Sequence, residues 1–210
     1  MKSFNNIKAL SAFVSAAGVA VIIGWALDIT VFKSVSSSFV SMKFTTALSF
    51  FLSGVILYTI TISAEGRRDV AQVILPGAIL MVLLIMTTLL TSSLLGIESG
   101  LEEMFIRGGP HPLRTVVPGR PSVVTMFDFI LLSACGIASL FSRSKLRPML
   151  FYVGCLIMLT GVVAVAGYIL DSPILYYSTR SSTAMALHTA VLFCICGWVL
   201  VLLSRYEARP

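Results

Sequence analysis

Six apolar runs, each about 20 residues long, take up most of this 210-residue chain. A run of that length matches the thickness of a bilayer, and as an α-helix it satisfies its own backbone hydrogen bonds where no water can. The runs predict helices at about 8–27, 45–63, 71–95, 122–141, 149–170 and 183–204. They make one transmembrane domain over 1–210 and leave no stretch long enough for a soluble catalytic domain. Composition agrees: 57% of residues are hydrophobic, 11% are charged, and the mean hydropathy is +0.98. The net charge of +6 reads as basic residues at membrane edges, so the expected partner is the lipid bilayer and not nucleic acid.

A string recurs along the chain. Gly24-Trp25-Ala26-Leu27-Asp28 returns as Gly167-Tyr168-Ile169-Leu170-Asp171. At equal distance after each glycine, Met42, Thr46, Ala47 and Phe50 return as Met185, Thr189, Ala190 and Phe193. A weaker middle copy starts at Gly96 and carries Thr125 and Phe129 after a longer insert. Each copy leaves one apolar run, crosses a polar loop and enters the next. The expected fold class is therefore all-α, a polytopic membrane protein of six transmembrane helices built as three repeated helix–loop–helix hairpins. Thr46, Thr125 and Thr189, each four residues before a phenylalanine, suit a packing seam between hairpins. Asp28 and Asp171 close matching helices, where an acid opposes the helix dipole. Some compensation is expected there, such as capping of neighbouring N–H groups.

Basic residues set the expected orientation. Lys2, Lys8, Arg67, Arg68, Arg143, Lys145, Arg147, Arg205 and Arg209 crowd very short segments on one side. Lys33, Lys43, Arg107, Arg114, Arg120 and Arg180 are spread over longer loops on the other, with most of the acids. The first side is expected to be cytoplasmic, with both termini inside and every hairpin loop outside. The first run lacks a small-residue cleavage site and is expected to stay as a helix. Cys135, Cys155, Cys194 and Cys196 fall in apolar runs and read as small packing residues.

The strings GWALDIT, MKFTTALSFFLSG, PGRPSVVTMFDF and MALHTAVLF, with the terminal Ala208-Arg209-Pro210, resemble a bacterial membrane region. That region stands at the N-terminus of many sensor histidine kinases and diguanylate cyclases, ahead of PAS and catalytic output domains. The resemblance covers the chain from Gly24 onward and implies a sensory input module in a bacterial inner membrane. Chains of that kind continue past the Ala-Arg-Pro string into further spans and output domains, which this sequence does not contain. A second departure is Asp128, an acid where the pattern has an apolar or small residue.

Asp128 is also the acid that lies within a predicted span, a position that marks function by default in membrane proteins. His188 sits at the matching end of the last helix, where it could pair with Asp128, titrate near neutral pH, bind a metal or hydrogen-bond a neighbouring helix. His111 and Glu98, with Glu102 and Glu103, offer donors for a divalent cation but in no recognised spacing. The candidate ligand site is thus Asp128, His188, His111 and Glu98, in the outer half. No phosphate loop, nucleophile elbow or zinc-protease string is present, so no catalytic residue, cofactor or metal is assigned. The expected function is membrane sensing, coupled to a signalling output protein or a homo-oligomer. The alternative is a non-catalytic subunit of a membrane complex, or a small transporter.

Overall fold

The computed structural model describes residues 2–34, 39–101, 119–141, 146–176 and 183–205. They form α1 (Lys2–Ala26), the short α2 (Thr30–Lys33), α3 (Phe44–Ala64), α4 (Arg68–Leu95), α5 (Val123–Phe141), α6 (Leu146–Ile169) and α7 (Leu187–Ser204). A single 3₁₀ turn covers Pro173–Leu175. No strand occurs among the described residues. Six of the helices are long and apolar enough to cross a membrane, so the chain is a multi-pass helical membrane protein.

Several boundaries differ from the sequence expectation. Helix α1 starts six residues before position 8, because Lys8 does not end it: its Nζ reaches a Glu65 carboxylate oxygen at 2.5 Å. Helix α4 starts at Arg68, which places Pro76 in its interior and not in its first turns. Pro76 is exposed there, so the hydrogen bond its ring removes is lost on the outer face. Helix α6 begins three residues early, and α7 four residues late. Residues 183–186 precede α7 without regular secondary structure, with Ala186 extended, and are tied down by a hydrogen bond from the Met185 N–H to the Tyr176 carbonyl at 3.0 Å.

Among consecutive long helices, α1 packs on α3 and α6 on α7 most extensively, while α4 packs on both α3 and α5 to a similar extent. Helices α3, α5 and α7 are the more buried, and α1, α4 and α6 lie outside them. At the centre, the fully buried rings of Phe50, Phe129 and Phe193 meet one another. Their centroids are 4.8, 4.9 and 5.0 Å apart, in tilted and edge-on arrangements that suit aromatic quadrupoles. Helices α3, α5 and α7 thus contribute one ring each. The helices all turn over at two levels, a loop end and a turn end. The loop end holds the connections after α1, α4 and α6.

The first and last pairs pack with the same contacts. A Cβ on Gly18 would lie 2.6 Å from the Ala47 carbonyl oxygen, and one on Gly161 would lie 2.6 Å from that of Ala190. A Cβ on Gly54 would meet Ser11 and Ser15, and one on Gly197 would meet Gly154 and Met158. These are backbone-to-backbone approaches of the kind small residues permit in membranes.

Their loops also close alike. The Ile29 N–H bonds the Gly24 carbonyl, and the Ser172 N–H bonds that of Gly167, both at 2.8 Å. Asp28 and Asp171 stand in the left-handed region at φ 56° and 48°, the position that ends a helix by folding the chain back over its last turn. The Trp25 indole N–H donates to the Met42 carbonyl at 3.0 Å. The Tyr168 hydroxyl donates to the matching Met185 carbonyl at 2.7 Å. So the aromatic of each string pins the entry to the following helix.

The middle connection shows a register different from the one expected. Gly96 has φ 68° and the Ile97 N–H bonds the Ser92 carbonyl at 3.0 Å. Gly96 therefore holds the place of Asp28 and Asp171, and Ser92 holds that of Gly24 and Gly167. The match by glycine was one helical turn out, because glycine serves two purposes here. At Gly24 it lets Phe32 approach, and at Gly96 it supplies the positive φ. The expected capping by Asp28 is also replaced: its carboxylate pairs with Lys33, whose Nζ lies 4.9 Å from the Trp25 ring centroid. That hydrogen bond and charge hold the exposed Asp28 carboxyl below its ordinary range.

Candidate functional site

Helices α3, α5 and α7 start together at the loop end, each after a run of extended or turn residues. In each, the first intrahelical bond measures 3.0 Å: Ala47 to the Lys43 carbonyl, Met126 to the Ser122 carbonyl, Ala190 to the Ala186 carbonyl. Lys43, Ser122 and Ala186 are thus the three N-cap residues. Thr46, Thr125 and Thr189 each stand three residues further on. The three threonines are buried and line a common small cavity with Lys43, Ser122, Met185 and their neighbours. It offers about 10 Å³ for the centre of a water-sized sphere, which is room for one such sphere.

The polar groups around it are unevenly satisfied. The Ser122 hydroxyl accepts from the Thr125 N–H at 3.1 Å and lies 2.8 Å from the Thr125 hydroxyl, an ordinary N-cap. Neither Lys43 nor Ala186 caps its helix with a side chain. Lys43 is 4% exposed, and its ammonium has no ion pair or hydrogen bond among the described residues. Burial pushes its ammonium down to about 8. Thr46 and Thr189, each 2% exposed, likewise take no side-chain hydrogen bond among the described residues.

The residues singled out from the sequence fall elsewhere. Asp128 is 2% exposed in α5, and the Thr160 hydroxyl of α6 donates to its Oδ2 at 2.8 Å. The same hydroxyl lies 2.8 Å from the Ile157 carbonyl. Asp128 therefore joins α5 to α6; the Arg120 guanidinium donates instead to the Ile97 carbonyl at 2.5 Å. His188 is the second residue of α7, and neither of its buried ring nitrogens has a hydrogen-bond partner. It pairs with neither Asp128 nor a neighbouring helix. Glu98 is exposed beyond α4. His111, Glu102 and Glu103 lie outside the described residues. No three of His, Cys, Asp and Glu gather as a metal site among the described residues.

Lys43 is the residue that the sequence reading missed. It looked like one more loop cation, but it stands directly before an apolar run and three residues before Thr46, an N-cap position where a cation opposes the helix dipole. That misplaced charge was the available signal. Comparison of the chain with known protein families, with curated proteins and with solved structures finds no match.

Proposed function

We propose that this chain is a sensory input module of a bacterial inner membrane, with its stimulus read at the loop end and its message leaving at the turn end of α7. One observation carries the reading. The cavity is walled by the first turns of α3, α5 and α7, and one turn deeper the same three helices meet through Phe50, Phe129 and Phe193. A ligand at the cavity would bias the packing of all three inner helices at once. It acts by binding one arrangement of the three starts more tightly than another.

The resemblance of the repeated strings to sensor regions supports this reading, and the basic residues at the turn end support a cytoplasmic placement of that end. The matching contacts of the first and last pairs support descent of the hairpins from one repeated unit. The output partner would be a signalling protein or a second copy of the chain.

Hydrogen exchange on the whole chain in lipid nanodiscs tests it. Ligand at the loop end is expected to alter protection in the last turns of α7, near Leu203 and Ser204. Changes confined to the first turns of the three helices would overturn the sensory reading. A second reading, a subunit of a membrane complex, draws on Thr87, Thr88 and Thr91. These line an open groove on α4 and are exposed on an otherwise apolar face.

A further inference from the structure

We infer that the cavity at the loop end binds one small monatomic anion of halide size, held by the Lys43 ammonium, Thr46, Thr189 and the first-turn N–H groups of α3, α5 and α7. The inference deepens the sensory reading by naming the ligand class, but the site stands on its own geometry.

Three helix N-termini converge here, on helices of 21, 19 and 18 residues. Each carries about half a positive charge on N–H groups that lack partners inside the helix. The Lys43 ammonium adds a full positive charge at one N-cap, where acids are favoured and cations are not. Among α3, α5 and α7 the one acid is Asp128, and its contact is with Thr160 on α6. Among the described residues no carboxylate pairs with the Lys43 ammonium at this convergence. A buried, unpaired charge is among the most destabilising features a fold can carry.

The side chains point to the same occupant. Lys43, Thr46 and Thr189 are each more than nine-tenths buried and line the cavity, and their side chains take no hydrogen bond among the described residues. An ammonium and two threonine hydroxyls are all donors, and one anion satisfies them together. Even lowered to about 8, the ammonium remains charged at neutral pH. Size selects the anion. Space for one water-sized sphere suits a chloride or bromide better than the larger phosphate or sulfate. Backbone N–H groups at helix starts are established anion donors, and residues at three helix starts line this cavity.

The test uses the full chain in detergent, held in sodium gluconate at constant ionic strength. Chloride or bromide replaces gluconate stepwise while the unfolding midpoint is followed. A saturable rise of about 5–10 °C is expected at high occupancy, with gluconate inert. Lys43→Met and Lys43→Gln should abolish the rise, and Thr189→Val should shift its midpoint concentration upward several-fold. Equal midpoints in chloride and gluconate would overturn the inference. So would an undiminished chloride response in Lys43→Met, or a response to sulfate and phosphate without one to halides. If Lys43→Met does not fold, Thr189→Val and the gluconate comparison still decide the matter. Halide binding without altered exchange at the end of α7 would keep the site and sink the sensory reading.

Discussion

The most direct consequence of the buried lysine is a protein that gains stability when the lysine is removed. Burial lowers the Lys43 ammonium from its ordinary 10.5 to about 8, and each unit corresponds to about 1.4 kcal/mol. Charged Lys43 therefore weakens the folded state by about 3 kcal/mol. The sign follows from proton counting. Below about 8 both states carry the charge and the full penalty applies. Between about 8 and 10.5 the folded protein has shed a proton that the unfolded chain keeps, so stability climbs with pH.

Lys43→Met keeps the length of the side chain and loses no cap, since Lys43 makes none. At pH 7 in gluconate it should unfold higher than the parent by about 6–12 °C, and its profile should lack the alkaline climb. Intrinsic fluorescence of Trp25 and Trp198 against temperature, from pH 7 to 10.5, reads both. Arg120, Asp128 and His188, described ionisable groups on elements at or near the cavity, are common to both proteins and cancel in the difference, as does every other unchanged group. Chloride should narrow the gap by stabilising the parent alone. A variant that unfolds below the parent in gluconate, with the same alkaline climb, would refute the reasoning.

Phe50→Ala, Phe129→Ala and Phe193→Ala should each cost about 1–3 kcal/mol. That is less than in a water-soluble core, because the unfolded chain in a membrane leaves the ring in an apolar medium. Double substitutions should fall short of the sum, as the three rings share one contact, and strict additivity in equilibrium unfolding would contradict that arrangement. Gly54→Leu and Gly197→Leu should each separate a tightly packed pair, for α1–α3 and α6–α7 respectively. Loss of a sharp unfolding transition is the expected readout, and a protein as stable as the parent would contradict the close approach. Gly96→Val should cost about 1–2 kcal/mol because its φ of 68° suits glycine. Asp171→Gly should stay within about 0.5 kcal/mol of the parent, since relief of left-handed strain is offset by a freer unfolded chain. Thr160→Val should destabilise by about 1–3 kcal/mol through the carboxyl of Asp128 that it leaves without a partner, measured by the same unfolding assay.

Some of this was legible in the order of residues alone. Spanning helices follow from apolar length because a bilayer leaves the backbone no other donor or acceptor, and no distant contact can change that. The strings around Gly24 and Gly167 pointed to matching positions, since an aromatic, an αL residue and a close-packed glycine each leave a distinct letter in the chain. The middle copy was harder to align. Gly96 and Gly24 share a letter but serve different backbone needs, and only the φ angles separate them.

The candidate site was the least legible part. Asp128 drew notice as an acid in an apolar run, but its meaning depends on which helix faces it, and Thr160 lies on α6, 32 residues further along the chain. Lys43 reads as a solvated loop cation until the starts of α5 and α7 are brought beside it. The sequence by itself determined the multi-pass membrane class and the six spans, because these rest on local periodicity and hydropathy. The tertiary structure alone decided that the starts of α3, α5 and α7 meet at one point and bury a positive charge there. Convergence and desolvation are properties of three distant segments together, and no one of them carries either.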